Sequence, residues 1–84
     1  MEKTSAKPTD LEYRHFLMKA RDAKIGGIEA WRPQSTGEKV AVALVLNRPD
    51  WLKEMGYTIA EAIERTGNWL RYLPDVEREL NQED

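Results

Sequence analysis

Apolar side chains recur along this chain at helical spacing, in blocks separated by glycine and proline. Tyr13, Phe16, Leu17 and Ala20 share one face of a helix expected to run from Thr9 to about Lys24, with Gly26 as its stop. Leu11, His15 and Met18 fall on the other side of that helix, a second patch that predicts either a wedged helix or one offering a face to a partner. Ile59, Ala62, Ile63 and Thr66 form a single stripe between Thr58 and Gly67, with Tyr57 placed to act as a staple. Near the C-terminus, Pro74, Asp75 and Glu77 have the composition of a fresh helix start, with Val76 and Leu80 facing inward.

The block Val40 to Leu46 is different, because all seven residues are apolar and no face is polar. As a helix over 36–47 it would be buried on every side and form the centre of the fold. Its β-branched Val40, Val42 and Val45 also suit a buried strand, which would pair 39–46 with 27–32 as a hairpin. Flanking signals favour the helix. Ser35 and Glu38 stand three apart, as do Thr9 with Glu12 and Thr58 with Glu61, each a candidate capping box. Asn47 suits a left-handed closing residue, and Pro49 bars continuation while opening a short helix over 49–55 that ends at Gly56. The expected fold is therefore all-α, a small orthogonal bundle of four to five short helices around helix 36–47. The alternative is α+β with the hairpin at 27–32 and 39–46.

Between Lys24 and Gln34, two glycines and Pro33 interrupt any period, and the segment reads as a long connector or a short extended piece. Trp31 within it is expected to fold back as a lid on the core. The organisation anticipated is a disordered tail over 1–8, one helical domain over 9–81 and a disordered tail over 82–84.

Composition narrows the function classes. With no cysteine among 84 residues there is no disulfide framework, thiolate metal site or cysteine nucleophile, which fits a reducing compartment and makes the cytoplasm the expected location. The longest apolar run is seven residues where a membrane span needs roughly 20, so no membrane partner is expected. Residues 1–10 carry charge and proline without an apolar core, and no secretory signal is read there. The net charge of −2 divides unevenly, with +3 over 1–48 and −5 over 49–84. Such polarity speaks to partners rather than to fold.

No catalytic constellation emerges. His15 is the chain's one histidine, Ser35 is committed to a cap and Ser5 sits in the expected tail. A phosphate loop fails because Val40 follows Gly37-Glu38-Lys39 where a hydroxyl is needed. Glu61 and Glu64 are too few for a cation site. Neither enzyme activity nor a cofactor nor a bound metal is expected. The chain resembles the short single-domain helical reading frames common in bacteria, a likeness that implies no activity.

What remains is binding. Trp, Tyr and Arg concentrate contact energy at interfaces, and Trp31, Arg32, Trp69, Arg71 and Tyr72 join Leu11, His15 and Met18 as candidate protein-contact residues. The expected function is a non-catalytic interaction or accessory module whose partner is another protein or a second copy. The alternative is a helix-turn-helix-like DNA-binding regulator using residues 58–80, with Arg65, Asn68, Arg71 and Arg78 toward a groove. Nucleic acid is disfavoured because that half of the chain is acidic.

Overall fold

The computed structural model describes residues 11–83; the Thr9–Glu12 capping box and the tail over 1–8 lie outside them. Helix α3, Thr36–Val45, is the axis of the molecule. Ser35 caps it: its hydroxyl accepts the Glu38 amide, and the Glu38 carboxylate accepts the Ser35 amide at 3.0 Å. Two of the otherwise orphaned donors at the helix start are thereby satisfied. Val40, Ala41, Val42, Ala43 and Val45 are all buried, since α3 is covered by helices contributed by both halves of the chain. The hairpin alternative is overturned, and no strand occurs among the described residues. A valine-rich run is helical here because the cap fixes the start, and a bundle buries every side of a helix without leaving strand edges to pair. The helix closes as Asn47 takes φ 57° and the Arg48 amide donates back to Ala43 O at 2.8 Å.

Helix α1, Leu11–Gly26, lays Tyr13, Phe16, Leu17, Ala20 and Ala23 against this axis. Gly27, at φ 73°, turns the chain, and the expected connector proves to contain a helical turn, α2 (Ile28–Trp31). Gly26 permits that turn to fold back closely, because a Cβ at this position would lie 2.7 Å from Ala30 Cβ. At the end of α2, Trp31 is fully buried, as its role as a lid predicted. Its indole donates to Lys39 O at 2.9 Å, and its ring sits 4.9 Å from that of Trp51.

Pro49 opens α4 (Pro49–Met55), which buries Trp51 and Leu52 and ends at Gly56 with φ 80°. Helix α5, Ile59–Thr66, begins at the Thr58–Glu61 capping box. Its packing departs from expectation. Ala62 and Thr66 are buried, but Ile59 and Ile63 stay about half exposed. Helix α5 packs chiefly on α3, with lesser contacts to α4 and to the segment that follows it, and these neighbours leave the flank carrying Ile59 and Ile63 open. A 3-10 segment over Gly67–Tyr72 then leads into α6 (Leu73–Gln82). Helix α6 is tied to α1 along its length: the Tyr13 hydroxyl donates to Glu79 at 2.6 Å, and Lys24 Nζ donates to Leu80 O at 2.7 Å. Arg21 grips Glu83 beyond the helix end.

Candidate interaction surface

Successive residues of a helix turn by about 100°. On α1 this places Leu11, Met18 and Ile25 within about 20° of one line, directly opposite the buried face. They are 79%, 48% and 80% exposed. Three large apolar side chains at seven-residue spacing thus form an uncovered stripe down the whole helix. Single exposed apolar residues are ordinary on a protein surface, whereas an aligned row is not. Arg14 and Arg21 border the stripe on one edge, and His15 and Asp22 border it on the other.

Leu11 and Met18 were legible as a second patch in the sequence. Ile25 is not legible as part of that patch, because it stands against Gly26-Gly27, where the sequence reads as a connector. The signal was available, since Ile25 repeats the interval between Leu11 and Met18.

The other candidate residues do not join this stripe. His15 lies at its edge, with Nε2 2.7 Å from Glu38 Oε2. Trp69 is half-buried, stacked on Phe16 at 4.8 Å and edge-on to His15 at 5.7 Å. Trp31 and Tyr72, candidate contact residues by composition, lie in the core instead, at 0% and 1% exposure. Trp31 is closed in by the return of α2, and Tyr72 packs edge-on against Tyr13 at 5.8 Å. Arg32 is exposed but holds Glu54 through two hydrogen bonds of 2.8 and 3.0 Å. Arg71 lies over the Tyr72 ring, 5.2 Å from its centre.

Of the candidate DNA contacts, Arg65 and Asn68 are exposed on α5 and the 3-10 segment, and Arg78 on α6 is paired with Asp75 at 2.8 Å. The 3-10 segment stands where a recognition helix would have to start, and α6 itself carries Asp75 in its first turn. An acid at the N-terminal end of a helix suits its own dipole and repels phosphate.

Surface depressions complete the picture. One of about 330 Å³ is lined by Lys24, Asn47, Arg48, Trp51 and Glu77, but Arg48 is held by Asp50 and stacked over Trp51. A second, about 290 Å³, lies beside Glu38, Arg65 and Trp69. A third, about 390 Å³, lies between α4 and the start of α5 and is lined by Pro49, Leu52, Lys53, Tyr57 and Ile59. Among the described residues no three His, Cys, Asp or Glu side chains gather where they could hold a metal ion, and no helix is long and apolar enough to cross a membrane. No family model, curated protein or solved structure matches the chain.

Proposed function

We propose that this protein is a non-catalytic interaction module whose contact surface is the outer face of α1. The observation that carries this reading is the Leu11–Met18–Ile25 stripe, aligned and exposed on a helix whose opposite face is fully used by the core. An apolar helix face of this kind is what a helical partner buries, with anchors one or two turns apart. A non-catalytic role is supported by the commitments of the reactive side chains. His15 is bonded to Glu38, and the Ser35 hydroxyl is spent on the cap of α3. The absence of cysteine is compatible with a cytoplasmic setting.

The test is capture from the native host with the wild-type chain and with Met18→Glu and Ile25→Glu as bait. Both positions are exposed, so helix content should be unchanged by circular dichroism, while capture of the partner should fall at least tenfold. Ile63→Glu, on the outer flank of α5, should capture normally. Equal capture by all the variants would refute this reading.

A further inference from the structure

We infer that the partner of the α1 face is a second copy of this chain, paired with its α1 parallel to the first about a two-fold axis that runs along the seam between the two helices. This inference rests on the assignment of α1 as the contact surface. It adds the occupant and the orientation.

The interval of the stripe is the first reason. Leu11, Met18 and Ile25 repeat every seven residues, the period at which apolar side chains stay on the seam between two helices wound around each other. In the parallel arrangement Leu11 meets Leu11, Met18 meets Met18 and Ile25 meets Ile25, giving three matched layers over about 21 Å of helix. A two-fold pairing needs a face complementary to itself, and with the axis along the seam each apolar residue of the stripe lies opposite its own copy, which meets that condition.

Charge decides the orientation. Arg14 and Arg21 lie on one edge of the stripe, His15 and Asp22 on the other. A parallel two-fold axis brings each edge against the opposite edge of the partner, so Arg21 meets Asp22 of the second copy, and the contact occurs twice. An antiparallel axis would bring each edge against its own kind, with Arg14 facing Arg21. Asp22 has no ion-pair partner among the described residues. Arg21 uses Nε and Nη2 on Glu83, which leaves Nη1 not engaged by that carboxylate. The like-charge juxtaposition makes the antiparallel form the disfavoured one.

Three layers bury less than a standard protein interface, so the association should be weak, micromolar or weaker. Sedimentation equilibrium up to about 1 mM chain should show a monomer–dimer equilibrium. Met18→Glu should weaken it at least tenfold, and Asp22→Lys by about three- to tenfold, as expected for a steering pair at an interface rim.

Orientation is read by cross-linking, which the absence of native cysteine makes direct. L11C alone and I25C alone should each give disulfide-linked dimers on mild oxidation, and a mixture of the two should give few mixed dimers. Predominant mixed L11C–I25C dimers would overturn the parallel arrangement. A chain monomeric at every concentration, or a dimer indifferent to Met18→Glu, would overturn the inference itself. If the chain stays monomeric while Met18→Glu still abolishes capture of another protein, this inference fails and the α1 surface stands. If capture is also indifferent to that substitution, both fail.

Discussion

His15 Nε2 lies 2.7 Å from Glu38 Oε2, and the other oxygen of that carboxylate accepts the Ser35 amide at 3.0 Å. One side chain therefore closes the cap of α3 and pins α1 to it. Glu38 is desolvated by this position, which opposes ionisation. The hydrogen bond from His15, those from Ser35 and the nearby charge of Lys19 outweigh that burial and hold its carboxyl below the ordinary glutamate range.

A carboxyl whose folded-state pKa is depressed stabilises the fold above its unfolded pKa, and the gain is lost as pH falls through the folded value. Unfolding in urea between neutral and acidic pH should therefore show a loss of stability at the acid end that is smaller in Glu38→Gln. His15→Ala and Ser35→Ala, which remove side chains that meet only through Glu38, should each cost ~1 kcal/mol and be non-additive in a double-mutant cycle. Strict additivity would show that the cap and the α1 contact are independent.

The Tyr13 hydroxyl is driven the other way. Burial first, then the hydrogen bond to Glu79 and its charge, raise the phenol well above its usual range. A raised folded pKa means stability that is complete below the unfolded pKa, about 10 for tyrosine, and lost as pH climbs above it. Alkaline unfolding should thus begin near the ordinary tyrosine range and be blunted in Tyr13→Phe, which should cost ~1 kcal/mol at neutral pH. Thermal melts from neutral to strongly alkaline pH would check both statements.

Gly26 and Gly37 should respond oppositely to alanine. At Gly37, in the first turn of α3, a Cβ meets nothing within 4 Å, so Gly37→Ala should stabilise by about 0.4–1 kcal/mol through helix propensity and a more restricted unfolded chain. At Gly26 the same Cβ would lie 2.7 Å from Ala30 Cβ, too short a side chain to swing aside. Gly26→Ala should instead destabilise by about 1–3 kcal/mol, as overpacking does. Denaturant midpoints of the two variants would suffice.

Trp31 is the test of the bundle's interior. Trp31→Ala removes a fully buried ring that packs on Trp51 and donates to Lys39 O, and should cost about 3–5 kcal/mol. In a domain of this size that loss should leave the chain largely unfolded, visible as collapse of amide dispersion in the NMR spectrum.

Much of the fold is written locally. The Ser35–Glu38 and Thr58–Glu61 boxes, the left-handed closing residue Asn47, Gly56 and Pro49 each act on donors or dihedrals within a few residues, and every one occupies its expected place. The inward positions Tyr13, Phe16, Leu17 and Ala20, and later Val76 and Leu80, were legible for the same reason, since their period is a property of the helix alone. Leu11 and Met18 were visible as an apolar patch without a core to face.

The remaining features depend on what lies across the molecule. Whether 40–46 is helix or strand could not be read from a uniformly apolar run, because both forms bury it; the cap and the elements that cover α3 decide. Trp31 and Tyr72 carry the composition of hot-spot residues, yet α2 folding back and Tyr13 packing edge-on remove them from the surface. Ile59 and Ile63 have the period of a buried stripe and remain half exposed, since burial requires a neighbour and those of α5 leave that flank open. Sequence by itself determined where helices start, stop and turn apolar. Only the tertiary structure decided which apolar faces find a partner, because periodicity orients a side chain about its own helix and says nothing of the element opposite.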